Sequence, residues 1–250
     1  MRETYMFEAI KNHIKTKPWL YDVVNAKRSI SDDVEYWLDN FSKSNREQIN
    51  FIQIGASDGL RWDPFRRFII RDKWKGVFVE PLPNVFSILK SNYAYLKNQD
   101  FKFVNAAIST DGSDHIDIWS YTEEFCNSLS LEDQLVYLRK SSLDKKHVEA
   151  SLQGLDNVAD KIKPFRVNCI SINDLIRQYF HKKEIDLIMI DAEGHDDKIV
   201  RAIDFEINRP KAILFEAHNL GIRKQELSDF LNDKGYTVSD LGGDSVAIRN

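Results

Sequence analysis

The sequence is poor in cysteine and contains no long apolar run. Its two cysteines, Cys126 and Cys169, lie far apart, fit no metal-ligand spacing and do not suggest a disulfide scaffold. The longest apolar runs have the length of a β-strand, so no transmembrane span is predicted. The first residues contain no apolar stretch followed by a cleavage site, which argues against a secretory signal. We therefore expect a cytoplasmic protein.

An excess of charge of one sign is also missing. The chain carries 35 Lys and Arg against 39 Asp and Glu, a net charge of −4, and has no long basic stripe. Scattered pairs such as Arg66-Arg67 are expected on the solvated surface, and no nucleic-acid partner is indicated. With 250 residues, 42% of them hydrophobic, the chain is long enough for one large α/β domain.

What the chain does contain is an alternation of strand and helix patterns after residue 50. The short apolar runs cover residues 51–54, 77–80, 102–108, 185–190, 211–216, 236–239 and 245–248. Between several of them, as in residues 84–96 and 223–235, apolar residues recur with a helical period. This alternation predicts a mostly parallel sheet with helices on both faces.

Three segments depart from the alternation. Residues 1–50 are predicted to form an N-terminal helical segment, with Ser31 capping an amphipathic helix. Residues from about 120 to 165 are charged, helix-prone and without strand-like runs, and are predicted to be a helical insertion. The turn Leu241-Gly-Gly-Asp244 joins the last two runs and predicts an antiparallel hairpin.

The most informative motif is the first apolar run with the Gly-rich turn that follows it. In Gly55-Ala-Ser-Asp-Gly59 the glycines allow the backbone to approach a ligand closely. Glu80, at the end of the second run, is placed to accept hydrogen bonds from both hydroxyls of a ribose. The spacing is GxxxG, without the GxGxxG of dinucleotide enzymes or a following GK[ST], which favours S-adenosylmethionine (SAM) over NAD or ATP. The alternative is a purely structural strand–turn–strand pair.

Five blocks, in this order and spacing, resemble the FkbM-type SAM-dependent methyltransferases. They are residues 55–59, 79–81, 105–108, 191–195 (Asp-Ala-Glu-Gly-His) and 214–216. The resemblance covers the chain from about residue 50 and implies a SAM-dependent methyltransferase domain over residues 51–250. The implied fold is the Rossmann-like class I methyltransferase fold, with a seven-stranded sheet. The implied activity is O-methylation of a hydroxyl group on a carbohydrate, a glycan precursor or another small molecule.

Within such a fold the cofactor residues follow from the motifs. We expect Gly55, Ala56 and Gly59 to pass close to the methionine part of SAM, and Asp58 to meet its ammonium group. Glu80 is expected to hold the ribose. Asn105 and Ala106, at the end of the third strand, are expected near the adenine, and Asp191 is placed to contact the cofactor as well.

Proton removal from the acceptor hydroxyl requires a base or a metal ion. Asp191 and Glu193 follow the fourth core strand and Glu216 and His218 the fifth, and such strand ends lie side by side. Two mechanisms stay open. In one, His195 or His218 is the general base, tuned by a carboxylate; in the other, a set of Asp191, Glu216 and His218 binds Mg²⁺ or another divalent cation.

Less specific interpretations accompany these. Glu193 is placed to cap the helix that follows Gly194, and His147 belongs to no recognisable constellation. The insertion is either a lid over the acceptor pocket or a passive surface excursion. The competing functions are an NAD-dependent oxidoreductase, disfavoured by the missing GxGxxG and the terminal hairpin, and a non-catalytic SAM-binding protein.

Overall fold

The computed structural model describes residues 17–45, 49–97, 99–181 and 183–250. Within them, the strands are β1 (Asn50–Ile54), β2 (Lys75–Val79), β3 (Phe101–Val104), β4 (Ala107–Ser109), β5 (His115–Tyr121), β6 (Ile162–Ser171), β7 (Leu187–Ile190), β8 (Ala212–Glu216), β9 (Tyr236–Leu241) and β10 (Asp244–Arg249). The helices are α1 (Pro18–Asn25), α2 (Asp33–Ser44), α3 (Arg66–Arg71), α4 (Pro83–Tyr93), α5 (Glu123–Asn127), α6 (Leu131–Leu138), α7 (Lys145–Ala150), α8 (Val158–Lys161), α9 (Ile172–Phe180), α10 (Asp196–Arg201) and α11 (Arg223–Asp233).

Seven strands form the central sheet, in the order β3-β2-β1-β7-β8-β10-β9. The pairs from β3 to β8 are parallel, and β10 runs antiparallel to both β8 and β9. Leu241 pairs with Asp244 across a two-residue turn, so the predicted terminal hairpin is present. The predicted class I methyltransferase fold is confirmed.

Apolar side chains alternate between the two faces of the sheet because successive residues of a strand point to opposite sides. In β1, Phe51 belongs to a core that includes Val34 and Leu38 of α2 and Phe68 of α3. Ile52 belongs to the core on the other face, with residues of α9, α10 and α11. The sheet is therefore covered by helices on both sides, as the alternating pattern predicted, and its carboxyl-terminal edge is left for a ligand. No helix in the described part of the chain is long and apolar enough to cross a bilayer.

A second, three-stranded sheet in the order β4-β6-β5 was not predicted. The single strand predicted over residues 102–108 is two strands, and they belong to different sheets. The strand is interrupted at Asn105, whose side-chain amide donates to the carbonyls of Glu80 at 2.8 Å and Pro81 at 3.0 Å. From there β4 departs to pair with β6 instead of extending β3.

The predicted insertion is helical only in its middle part. Helices α5 to α8 lie between β5 and β6, which pair with each other over their length from Tyr121↔Ile162 to His115↔Asn168. The prediction that residues 120–165 lack strands was therefore wrong at both ends. These helices build a small core of their own, in which Val148 and Leu152 lie near Leu82 at the start of α4. The insertion is thus attached to the central domain by a hairpin stem and by apolar packing.

The N-terminal segment also differs in detail. Residues 1–16 lie outside the described residues. The cap of α2 is Asp32 rather than Ser31, because the Asp32 side chain accepts the amide hydrogen of Glu35 at 2.8 Å. Arg66, predicted on the surface, is fully buried and forms a bidentate pair with Asp22 of α1. This pair fastens α1 to the core.

Candidate functional site

A cavity opens at the carboxyl ends of β1, β2 and β7, where open α/β sheets bind their ligands. Its volume of about 150 Å³, measured for the centres of water-sized molecules, is far larger than a packing defect. The two more voluminous surface depressions among the described residues contain none of the predicted cofactor residues. This cavity is therefore the candidate active site.

The Gly-rich turn closes the end of β1 onto its neighbours. The amides of Gly55 and Ala56 both donate to the Val79 carbonyl of β2 at 3.0 Å, and the Asp191 amide after β7 donates to the Ile54 carbonyl at 3.0 Å. Gly55 has φ +75°, and a Cβ there would lie 1.8 Å from the Asp191 carbonyl oxygen. Glycine is therefore required at residue 55 by the neighbouring chain as well as by the backbone conformation.

Glu80 lies in the cavity wall, as predicted. One carboxylate oxygen accepts the Ser57 amide at 3.0 Å and the other the Leu82 amide at 2.9 Å. Burial, with a smaller contribution from the charges of Asp191 and Asp58, raises the pKa of Glu80 to about 7. Each oxygen retains a lone pair for a second donor, so the carboxylate is positioned by the backbone and still able to accept ligand hydroxyls.

Three predicted cofactor residues do not line the cavity. Asp58 is buried in its own turn, where it accepts the amides of Leu60 and Arg61 and pairs with the Arg61 guanidinium at 2.6 Å. A Cβ on Gly59 would lie 2.4 Å from Leu89, so packing against α4 already requires a glycine here. Asn105 is occupied in joining the ends of β2 and β3. Its neighbour Ala106 does line the cavity.

Two carboxylates after β7 reach the cavity together. Asp191 is exposed to solvent within the cavity and is at the same time surrounded by many protein atoms. Desolvation by these surrounding atoms and the charge of Glu216 raise the pKa of Asp191 to about 7. Burial and the charges of Asp191 and Glu216 raise the pKa of Glu193 to about 8. Both groups therefore change protonation near neutral pH, which suits proton transfer.

Glu193 does not cap the helix that follows it. It has φ +47°, and its carboxyl group instead lies 3.0 Å from Nε2 of His147. The helix α10 begins after His195, which occupies the cap position without a side-chain cap bond. The interpretation of Glu193 as a cap was thus wrong. His147, on α7, contacts this cavity residue without lining the cavity itself.

His195 lines the cavity, but its ring contacts the side chain of the nearby Lys198. Its Nε2 lies 3.2 Å from the Nζ of Lys198, and burial together with this ammonium lowers the pKa of His195. The ring is therefore neutral at neutral pH. Because a lysine ammonium can only donate, it occupies the lone pair that a general base would need.

Glu216 and His218 lie outside the cavity lining. The Glu216 carboxylate accepts from the Asn219 amide at 2.8 Å and faces Nδ1 of His218 at 3.2 Å, and the His218 side chain is 60% exposed. Among the residues that the structure describes, no group of three or more His, Cys, Asp or Glu is arranged to hold a metal ion. The predicted set of Asp191, Glu216 and His218 is therefore not a ligand cluster, and the divalent cation is not supported.

Asp196 has a role that the sequence reasoning missed, although it directly follows the Asp-Ala-Glu-Gly-His block. Its fully buried carboxylate accepts the Ala192 amide at 3.3 Å and the Glu216 amide at 3.2 Å. It thereby joins the segment that follows β7 to the end of β8. In the sequence, Asp196 is recognisable only as a charged residue in the first turn of a helix. That position by itself predicts only a favourable interaction with the helix dipole.

The insertion forms the opposite wall of the cavity. Its contribution consists of Leu138, Arg139, Ser141, Ser142 and Leu143. The Ser142 hydroxyl donates to the Glu193 carbonyl at 3.1 Å. The Arg139 guanidinium lies 5.3 Å from the ring centre of Trp62, a 48% exposed side chain at the other side of the cavity. No sequence signal marked Arg139 or Ser142, because their position depends on how the insertion folds back.

The sequence from residue 53 to residue 238 matches the model of the methyltransferase FkbM domain. The match spans most of the chain, and the protein therefore belongs to the FkbM methyltransferase family. The predicted SAM-dependent methyltransferase is confirmed at this level, and the interpretation as an NAD-dependent oxidoreductase was wrong. No protein of curated function matches the sequence significantly.

Solved structures with similar folds are methyltransferases at low identity. The precorrin-6y C5,15-methyltransferase of Geobacter metallireducens is 13% identical, with a TM-score of 0.40 and coverage of 85% of this chain and 87% of its own. The SAH-bound methyltransferase PaMTH1 of Podospora anserina is 13% identical, with a TM-score of 0.47 and coverage of 94% of this chain and 86% of its own.

Proposed function

We propose that this protein is a SAM-dependent O-methyltransferase acting on a hydroxyl group of a carbohydrate, a glycan precursor or another small molecule. The observation that carries the proposal is the pairing of two carboxylates across one cavity. Glu80 on one side is positioned by backbone amides, and Asp191 on the other has a pKa near neutrality. The first suits binding of a nucleoside, and the second suits removal of a proton.

The donor would bind along the ends of β1 and β2. Glu80 would accept the ribose hydroxyls, and Ala106 and Ile108 offer an apolar surface for the adenine. The close backbone at Gly55 and Ala56 would accommodate the methionine part. SAM supplies a methyl group that is already activated by its sulfonium. The protein must therefore position the acceptor in line with that methyl group and take up a proton.

Asp191 is the base that the geometry supports best. It follows β7 directly, is open to the cavity, and has a pKa of about 7. His195 is less suited because Lys198 occupies its Nε2, and His218 lies outside the cavity lining. The Glu193 carboxyl group contacts His147, and the Glu193 backbone carbonyl accepts a hydrogen bond from the Ser142 hydroxyl. Both contacts favour a role of Glu193 in shaping the site.

The acceptor would lie between Asp191 and the insertion. Trp62 presents an exposed aromatic face at the cavity, with Arg139 over its ring. An aromatic surface beside polar and charged groups suits a sugar ring, which has apolar faces and a polar edge. The nearly balanced charge of the chain favours a small acceptor over a nucleic acid, and this stays a prediction.

Calorimetric titration with SAM tests the proposal. Glu80→Ala removes two charge-assisted hydrogen bonds and should weaken SAM binding by about 2–4 kcal/mol. The control is Glu226→Ala, which removes an exposed carboxylate on α11 and should leave the affinity unchanged. Release of S-adenosylhomocysteine with a panel of sugars would then separate an enzyme from a non-catalytic SAM-binding protein. Unchanged SAM affinity in Glu80→Ala would contradict the donor assignment.

A further inference from the structure

Arg139 places a guanidinium in the cavity wall that is not bonded to the protein. The residue ends α6, where its backbone amide donates to the carbonyls of Leu135 and Tyr137, and its exposed side chain lines the cavity. Within the described part of the chain the guanidinium forms no hydrogen bond and no ion pair, and its contact is the indole ring of Trp62. Its N–H donors are therefore left for solvent or for a ligand.

The charge of Arg139 is also poorly compensated. Arg61 lines the same cavity, but its guanidinium is paired with Asp58 at 2.6 Å. Arg139 acts only through space on Asp191 and Glu193, and it offsets part of the rise in the pKa of each. Because these pKa values are about 7 and 8, a large fraction of both groups is uncharged at neutral pH. The cavity thus holds a cation that its own carboxyl groups do not neutralise.

Trp62, beside this guanidinium, is held in an unfavourable conformation. Its φ of +56° lies in the left-handed region, which a bulky side chain rarely adopts. Its large apolar ring is nevertheless 48% exposed, so burial of the ring does not explain why the strain is tolerated. Backbone strain of this kind is concentrated at ligand-binding positions. Trp62 therefore offers an aromatic surface to a ligand next to the open guanidinium.

We propose that the acceptor is an anionic sugar, whose carboxylate or phosphate group pairs with Arg139 while its ring stacks on Trp62. This inference rests on the proposed function and names the class of acceptor at that same site. A guanidinium matches the two oxygens of either group with two parallel hydrogen bonds. The anionic group takes no part in the methyl transfer. It fixes the ring between the insertion and Asp191, which line the same cavity.

Matched sugars test this preference for charge. Glucose, glucuronate and glucose 6-phosphate share one ring and differ in a single substituent, and the galactose series repeats the comparison with another stereochemistry. Each sugar is titrated calorimetrically into protein saturated with S-adenosylhomocysteine. In at least one series an anion should bind ~10-fold or more tightly than the neutral sugar, as expected for charge-assisted hydrogen bonds. The tighter of the two anions distinguishes a sugar acid from a sugar phosphate. No preference for an anion in either series would overturn the proposal.

Arg139→Gln should abolish the preference, so that the anionic and the neutral sugar bind equally, while the affinity for S-adenosylhomocysteine stays unchanged. Arg139→Lys should retain part of it, because lysine keeps the charge and loses the paired geometry. The control is Arg166→Gln, which removes an exposed arginine of β6 outside the cavity lining and should keep the full preference.

Two results with Arg139→Gln would contradict the assignment. Equal weakening of anionic and neutral sugars would indicate a merely structural role. Weaker binding of S-adenosylhomocysteine with an unchanged preference among the sugars would place Arg139 at the donor. The proposed function fails separately, if the unmodified protein does not bind S-adenosylhomocysteine at all. Binding of S-adenosylhomocysteine without any preference for an anion would overturn the acceptor class alone.

Discussion

The two walls of the cavity are built in different ways. The first, here called the floor, consists of residues 55–57, Glu80 and residues 189–193, and backbone hydrogen bonds between adjacent strands hold it together. The second, here called the roof, is the helical part of the insertion, residues 123–161. It meets the floor through the contact between the His147 ring and the Glu193 carboxyl group and through the bond from the Ser142 hydroxyl to the Glu193 carbonyl.

We expect this difference to separate the binding of the donor from the choice of the acceptor. The floor is part of the sheet, so it cannot move without breaking the ladder between β1, β2 and β7. The roof has its own small core and a hairpin stem, and it can vary without changing the floor. We therefore assign the donor to the floor, and the selection of the acceptor to the roof.

Removing the roof should have the largest effect. Replacing residues 123–160 with a short Gly-Asn turn retains β5 and β6, whose Tyr121 and Ile162 already form a pair. Turnover should be abolished because the acceptor loses one wall, while calorimetry should show SAM affinity largely intact. Circular dichroism serves as the control for folding. Loss of SAM binding in a natively folded variant would place the roof in the donor site.

Within the floor, Asp191→Ala should lower turnover by at least ~100-fold, in line with the ~10²–10⁴-fold that general acid–base catalysis supplies. SAM should still bind, and Asp233→Ala, an exposed carboxylate at the end of α11, should behave like the unmodified enzyme. The rate of the unmodified enzyme should rise with pH through about 7, the pKa of Asp191. Near-normal turnover of Asp191→Ala would show that positioning alone drives the transfer.

Glu80→Gln should have a smaller effect, which concerns how the free energy of unfolding depends on pH. Burial raises the pKa of Glu80 from 4.5 to about 7, so the folded protein retains a proton that the unfolded chain releases in this range. The resulting stabilisation is fully present below about pH 4.5 and is lost as the pH rises through 7. It amounts to about 3 kcal/mol.

Urea denaturation of the unliganded protein at pH 5 to 8 measures this contribution of Glu80 to the free energy of unfolding. The free energy of unfolding should fall less steeply with pH in Glu80→Gln than in the unmodified protein. Glu226→Gln, on an exposed face, should not change the slope. Equal slopes in all three proteins would mean that the burial of Glu80 does not set its protonation.

Local patterns were sufficient for the central sheet, and five of the eight residues predicted to bind the cofactor line the cavity. Strand length, the terminal Gly-Gly turn and the helical periods depend on neighbouring residues, so they can be read along the chain. Glu80 and Asp191 were predicted correctly to lie at the cavity because each directly follows an apolar strand. Gly59 and Asp58 belong to the same motif, yet their partners are Leu89 and Arg61. The motif could not separate glycines that approach a ligand from glycines that pack.

The sequence by itself determined the family and the fold class, and it indicated the strand ends at which the cavity opens, since these depend on short-range order. Only the tertiary structure decided which side chains converge. His147 reaches Glu193, Asp196 joins two strand ends, and Arg139 lies over Trp62, through contacts between residues far apart or with no pattern in common. Such contacts are set by how the insertion and helices pack on the sheet, and packing leaves no periodic trace in the sequence.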